Sequence, residues 1–120
     1  VIFMGYRNDI PELLYAADCL LFPSKREGLG MAIVEAMATG LPVIVSDIRG
    51  PQDCMVKGKS GFDYEPADID GFASGLQRIY NMSDSERQRI GAFNREHSKT
   101  FSVDDVLVQV FDIYKQCGYL

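Results

Sequence analysis

The chain has 120 residues, of which 47% are hydrophobic and 24% are charged, as is usual for one globular domain. Its formal net charge of −5 argues against non-specific binding to nucleic acid, and no apolar run approaches the roughly 20 residues of a membrane-spanning helix. The three cysteines lack the spacing of a metal site and favour a reducing setting.

Apolar periodicity and turn residues predict alternating strands and helices along the chain. In order, the sequence predicts a strand at Val1–Met4, a helix from Asp9 to Ala17, a strand at Cys19–Phe22, a helix at Met31–Ala38, a strand at Val43–Val45, a short helix within Arg49–Val56, a strand at Phe62–Tyr64, and helices at Ile69–Tyr80, from Ser83 to His97 and from Ser102 onward. This alternation implies a parallel sheet with right-handed crossovers.

Several of these helices carry capping patterns. Asp9 with Glu12, and Ser83 with Glu86, have the spacing of a capping box, and Ser102 can cap the last helix. Four apolar residues of that last helix share one face: Val106, Val110, Ile113 and Tyr114.

The most informative pattern lies between the Cys19–Phe22 strand and the next helix. The segment E-G-L-G-M-A-I-V-E runs from Glu27 to Glu35. Its two glycines leave the backbone uncovered, so that amide groups at the helix start can approach an anion, which the helix dipole also favours. In an open α/β sheet this loop lies at the carboxyl end of a strand, where ligands bind.

The spacing of the two glutamates limits their chemistry. At a rise of about 1.5 Å per residue, Glu27 and Glu35 are on the order of 10 Å apart. The paired carboxylates of a retaining glycosidase need roughly 5 Å. The longer separation matches a sugar–diphosphate–ribose unit, with Glu27 accepting hydrogen bonds from sugar hydroxyls and Glu35 from ribose hydroxyls.

The wider segment resembles a known family motif. P-S-K-R-E-G-L-G-M-A-I-V-E-A-M-A-T-G-L-P-V-I, at Pro23–Ile44, is similar to the E-x7-E motif of retaining GT-B glycosyltransferases, specifically the GT4 group. Shorter matches lie before and after this motif, in the order that the family shows, so that the resemblance covers nearly the whole chain. They are F-M-G at 3–5, L-L-Y-A-A-D at 13–18, R-G-P-Q-D at 49–53 and K-S-G-F at 59–62.

This resemblance implies a fold and a domain. The fold is α/β, a Rossmann-like parallel sheet flanked by helices, and corresponds to the C-terminal, donor-binding half of a GT-B enzyme. Residues 1–120 would form part of that nucleotide-sugar-binding domain, incomplete at its N-terminus. The acceptor domain and the family's G-R-x-x-x-x-K-G segment, whose Arg and Lys neutralise the donor diphosphate, do not occur in this sequence.

The resemblance also implies a site and a reaction. Glu27 is the expected catalytic residue, and the donor-binding residues are Ser24, Glu27, Gly28, Leu29, Gly30, Met31 and Glu35. A sugar would pass from a nucleotide-diphosphate sugar to an acceptor hydroxyl with retention, by same-face attack assisted by the departing phosphate. No metal ion or other cofactor is expected.

The expected partners and location follow from the same family. They are a nucleotide sugar and an acceptor glycan or lipid held by the absent domain, but no nucleic acid. The expected location is cytoplasmic, with peripheral contact at the inner face of the membrane left open.

Other interpretations stay open. The chain could be a non-catalytic nucleotide-sugar-binding module, inactive alone because the acceptor domain is absent, or an α/β structural domain with an accidental motif. Ser24 could cap a turn rather than bind phosphate. Lys25 and Arg26 could neutralise the diphosphate or be solvated. Five further basic residues are expected on the surface: His97 on a polar helix, and a dispersed, solvated set of Arg78, Arg87, Arg89 and Arg95.

Overall fold

The computed structural model describes residues 1–119, which form a three-stranded parallel sheet between helices. The elements follow the predicted alternation: α1 (Ile10–Tyr15), β1 (Leu20–Phe22), α2 (Met31–Thr39), β2 (Val43–Ser46), α3 (Pro51–Cys54), β3 (Gly61–Tyr64), α4 (Ile69–Tyr80), α5 (Asp84–Ser98), a 3-10 turn (Lys99–Phe101) and α6 (Val103–Gln116).

The middle strand, β2, is buried on both faces and separates two layers of helices. It pairs in parallel with β1 and with β3, so that Ile44 lies opposite Leu21 and Phe62. Val43 and Val45 pack with α2 and α3, whereas Ile44 packs with α4. Since successive side chains of a strand point to opposite faces, a wholly apolar strand needs a cover on each side. The predicted α/β class, a parallel sheet flanked by helices, is confirmed.

Helix α5 is held to the sheet through a buried polar contact. The side-chain amide of Asn94, which has no exposed surface, donates to the carbonyl of Leu41 at 2.8 Å and to that of Ser60 at 3.0 Å. Those carbonyls stand just before β2 and β3, so one side chain fixes the entry to both strands. The predicted capping box of Ser83 and Glu86 opens this helix and is confirmed.

The N-terminal segment departs from the sequence-based prediction. Val1–Met4 forms no strand and is exposed, from 52% at Met4 to 114% at Val1. A strand requires a partner for its backbone groups, and no strand among residues 1–119 pairs with this segment. The capping box predicted at Asp9 is also wrong, because Asp9 makes no capping bond and its carboxylate pairs with the Arg7 guanidinium instead.

Helix α6 begins as predicted, but no residue of its apolar face is buried within the described chain. Ser102 accepts a hydrogen bond from the Asp105 amide at 3.2 Å, which confirms the cap. No residue of α6 is buried; Val106, Val110, Ile113 and Tyr114 are between 39% and 59% exposed. Within residues 1–119, no helix combines the length and the apolarity needed to cross a membrane.

Candidate functional site

The loop that joins β1 to α2 lies at the carboxyl end of the sheet, as the sequence predicts. It ends at Gly30, the N-cap of α2, which has a left-handed backbone with φ 85°. A Cβ at Gly30 would also lie 2.9 Å from the Ile33 Cδ1 atom. The left-handed backbone, more than this contact with the end of a flexible side chain, favours glycine where the loop turns into α2.

Glu27 is half-buried in this loop and makes a local hydrogen bond. Its Oε1 atom accepts from the Gly28 N–H at 2.8 Å. The first turn of α2 is closed by the Ile33 N–H, which donates to the Gly30 carbonyl at 2.8 Å. The Gly28 and Ile33 amides are therefore already occupied, whereas the amides of Met31 and Ala32, at the N-terminus of α2, remain available to an acceptor.

The loop after β2 supports the loop after β1 through Gly50. Gly50 has φ 93°, and a Cβ at this position would lie 2.5 Å from the Gly28 carbonyl oxygen. Such a distance is shorter than any real contact, so only glycine lets the two loops approach this closely. The Gly28 backbone is thereby held from behind by a second loop.

Cys54, at the end of α3, holds the same loop by a hydrogen bond. Its Sγ donates to the Leu29 carbonyl at 2.8 Å, and the residue has no exposed surface. Burial, with smaller effects of the nearby Asp53 and Glu27 carboxylates, raises the pKa of the Cys54 thiol to about 11. The thiol is therefore protonated at neutral pH and remains a donor.

His97 is half-buried rather than on the surface, which corrects the sequence-based prediction. Its Nε2–H donates to the Cys54 carbonyl at 3.0 Å. Its ring stacks on Phe93, with centroids 5.7 Å apart, and meets the edge of Phe101 at the same distance. His97 therefore connects α5 to α3, and through Cys54 to the loop that follows β1.

Ser24 and the neighbouring cations occupy the start of the loop. The Ser24 hydroxyl donates to the Arg26 carbonyl at 2.9 Å, which is the turn-capping contact considered from the sequence. Lys25 and Arg26 are exposed. Leu29 and Met31 are also accessible, at 40% and 53% of their surface. All the predicted donor-binding residues except Glu35 thus lie within this one loop and the first residue of α2.

Glu35 is exposed on α2, although its sequence neighbours Ala32, Ile33, Val34, Ala36 and Met37 are apolar and predict an apolar environment for it. Its flanking residues Val34 and Ala36 are buried, but the helix turns its own side chain outward. It lies at the rim of a shallow groove of about 270 Å³ formed with α1, including Leu14 and Tyr15. Solvent hydrates the carboxylate, and it is accessible to a ligand.

Two polar features at this end of the sheet were missed by sequence reasoning. The Asp63 carboxylate, whose side chain is 6% exposed, accepts from Lys57 Nζ at 2.5 Å and from Gln52 Nε2 at 3.1 Å, which ties α3 to β3. The hydroxyl of Ser46, at the end of β2, is buried without a hydrogen-bond partner in the described chain. No local motif marks either residue, because the Asp63 contacts and the burial of Ser46 depend on tertiary packing. Across residues 1–119, His, Cys, Asp and Glu side chains form no group of three or more placed to hold a metal ion.

A comparison with protein families gives a match over most of the chain. The family described as glycosyl transferases group 1 matches residues 1–97, which is most of the chain.

The chain is also similar to two glycosyltransferases of Escherichia coli. The UDP-Gal:alpha-D-GlcNAc-diphosphoundecaprenol alpha-1,3-galactosyltransferase of Escherichia coli is 48% identical over 80 residues, covering 66% of this chain and 20% of that protein. The O-antigen chain mannosyltransferase B of Escherichia coli is 31% identical over 115 residues, covering 94% of this chain and 29% of that protein. The chain thus spans less than a third of either relative.

A solved structure shares the fold. A mutant of S. aureus TarM in complex with fondaparinux, alpha-GlcNAc-glycerol and UDP superposes with a TM-score of 0.85 at 26% identity, covering 95% of this chain and 23% of that one.

Proposed function

Because the chain belongs to the group 1 glycosyl transferases, we propose that it is the donor-binding part of a retaining GT-B enzyme of the GT4 group. The enzyme would transfer a sugar from a nucleotide-diphosphate sugar to an acceptor hydroxyl in the synthesis of a glycan, polysaccharide or glycolipid. The observation that supports this most directly is the loop from Ser24 to Gly30, which opens α2 at the carboxyl end of the sheet.

The N-terminus of α2 is suited to the donor diphosphate. The helix has nine residues, and its first amides have no intrahelical acceptor. Aligned peptide dipoles place partial positive charge at this end, with Lys25 and Arg26 in the loop nearby. We propose that these protein groups, rather than a metal ion or another cofactor, offset the negative charge in this part of the site.

Glu27 is the proposed catalytic residue because it can orient the sugar. Its carboxylate now accepts the Gly28 N–H at 2.8 Å, and sugar hydroxyls can donate to its remaining lone pairs. A carboxylate there also favours the positive charge that develops on the sugar as the diphosphate leaves. The acceptor would attack from the face of the departing phosphate, so that the anomeric configuration is kept.

Glu35 is the proposed ribose-binding residue. It is exposed on α2, beyond the helix N-terminus that would hold the diphosphate, and its carboxylate has no ion-pair partner within residues 1–119. An accessible carboxylate without a protein partner can accept two ribose hydroxyls.

The named relatives support the substrate class. The galactosyltransferase is named for a UDP-sugar donor and a diphosphoundecaprenol-linked acceptor, and TarM was solved with UDP. We propose for the parent of this chain a nucleoside-diphosphate sugar donor, a glycan or lipid-linked acceptor bound by another domain, and a cytoplasmic site with peripheral membrane contact. Since the chain spans less than a third of these relatives, the chain alone should bind donor without turnover.

A ligand-observed NMR titration with UDP, GDP, ADP and their sugar conjugates tests the proposal. We expect saturation transfer to the ribose protons of one nucleotide, and about tenfold weaker binding in Glu35→Gln, because a charge-assisted hydrogen bond is lost. Glu65→Gln, which removes an exposed carboxylate beyond β3, is the matched control and should bind normally.

Two outcomes would contradict the proposal. Absence of transfer from every nucleotide would remove the donor-binding role of this chain. Equal affinity of Glu35→Gln and the unaltered chain would remove the assigned role of Glu35.

A further inference from the structure

A second cavity lies at the opposite edge of the sheet from the Ser24–Gly30 loop. It has a volume of about 440 Å³ and is lined by the turn before β3, by the end of α4 and by the start of α5. Gly61, the first residue of β3, contributes to it. Because the strands are parallel, the amino end of β3 and the carboxyl end of β1 face opposite edges, so the two sites are separate.

Three cations from different segments converge on this cavity: Lys59, Arg78 and Arg89. The sequence predicts that the arginines are dispersed and solvated. Arg78 and Arg89 are exposed, as predicted, but they are not dispersed, because both line this one cavity together with Lys59. Within residues 1–119, none of the three side chains forms an ion pair with a carboxylate. Gathering like charges costs Coulomb energy unless an anion offsets it, and this chain is otherwise acidic.

Two of the cations are held in place by aromatic rings. The Arg78 guanidinium carbon lies 3.8 Å from the centroid of Phe62, and Lys59 Nζ lies 5.4 Å from the centroid of Phe93. These contacts restrict long, flexible side chains before a ligand arrives. Less conformational entropy is then lost on binding.

The one carboxylate of the cavity is engaged elsewhere. Glu86 accepts from the Ser83 amide at 2.9 Å and from the Ser83 hydroxyl at 2.7 Å, as part of the capping box. These bonds, with a smaller effect of the Arg89 guanidinium, hold the pKa of Glu86 below its ordinary value, so its carboxylate stays negatively charged. The lining of three cations and this one carboxylate still has an excess of positive charge, and the volume of the cavity is in the range of small-molecule sites.

We propose that this cavity binds a small soluble molecule that carries a phosphate monoester or diphosphate group, at a site distinct from the donor site. The guanidinium groups of Arg78 and Arg89 would donate to phosphate oxygens, with Lys59 adding a third positive charge. The inference is independent of the donor-site proposal, because it uses none of the same residues.

The test is a two-dimensional NMR titration of the 120-residue chain with inorganic pyrophosphate. We expect saturable shifts at the backbone amides of Lys59, Phe62 and Phe93, whether or not the amides near Gly30 also move. Arg89→Gln should weaken this set of shifts about tenfold, the effect of losing one charge-assisted hydrogen bond. Arg95→Gln removes the same charge from the same helix, outside the cavity, and should change the affinity less than twofold.

Three outcomes would overturn the proposal. The first is shifts confined to residues 27–32, which would leave the donor site as the place of binding. The second is equal weakening by Arg89→Gln and Arg95→Gln, which would indicate non-specific charge attraction. The third is binding to vesicles that contain phosphatidic acid through Arg89, without shifts from soluble pyrophosphate, which would assign the cavity to a lipid headgroup.

Discussion

The sheet region and the two ends of this chain are similarly apolar in sequence, yet they are buried to very different degrees. Every buried hydrophobic residue lies between Ile33 and Ile90, where α2, β2 and α4 cover one another. The segment before α1 and helix α6 contain large apolar side chains as well, but Phe3 is 94% exposed and Phe111 is 53% exposed.

An apolar pattern in the sequence therefore shows which face of a strand or helix can be buried, but not whether another element packs against that face. The strand residues Val43–Val45 are buried because helices lie on both sides of β2. The face of α6 has the same kind of pattern, and no element among residues 1–119 buries it. Stability should therefore respond strongly to changes around the sheet and weakly to matched changes at the ends.

The largest expected effect is that of Gly61→Ala. An added Cβ would lie 1.9 Å from the Val43 carbonyl oxygen, so β3 must separate from β2. We expect a loss of about 4 kcal/mol or more in the free energy of unfolding, measured by urea denaturation. In Gly118→Ala, just after α6, the added Cβ has no atom within 4 Å, and the only strain comes from the positive φ of this residue. We therefore expect a loss of about 1 kcal/mol in the free energy of unfolding. Similar losses of stability in the two variants would contradict the difference between the sheet region and the ends of the chain.

A matched pair of helical isoleucines gives the next largest effect. Ile79 on α4 is 2% exposed and packs with Ile44 and Phe72, whereas Ile113 on α6 is 59% exposed. Ile79→Ala should cost about 3 kcal/mol, because it leaves a cavity in the core. Ile113→Ala should cost less than about 1 kcal/mol in the same urea measurement. A large cost at Ile113 would show that α6 is buried in solution, against the structure.

The smallest expected effect is a pH dependence due to Cys54. Burial raises the pKa of this thiol from an ordinary value of 9.0 to about 11 in the folded chain. The contribution to stability is therefore complete well below pH 9.0 and is lost as the pH rises from there toward 11. The stability difference between the unaltered chain and Cys54→Ala should fall by about 2 kcal/mol across this window.

Cys117→Ala, which removes an exposed thiol, is the matched control variant and is measured over the same pH range. If the Cys54→Ala difference does not change with pH, the Cys54 thiol is more solvated than the structure indicates.

Much of the fold could be predicted from the sequence because its evidence is local. The capping box at Ser83 and the cap at Ser102 depend on residues three positions apart, and both form. The glycine-bracketed loop and the helix after it also depend on neighbouring residues, and they lie where the alternation of elements predicts. The strand predicted at Val1–Met4 fails because pairing depends on a distant partner.

The candidate site likewise has features that the sequence predicts and features that depend on tertiary packing. The sequence by itself determined that Glu27, Gly28 and Gly30 precede a helix at the carboxyl end of a strand, since spacing along one segment is enough for that. Only the tertiary structure decided that Gly50 and Cys54 hold this loop from behind, that His97 reaches Cys54, and that Arg78 and Arg89 converge on one cavity. The physical reason is that these contacts join residues far apart in the chain, and chain packing, rather than any local spacing, brings them within bonding distance.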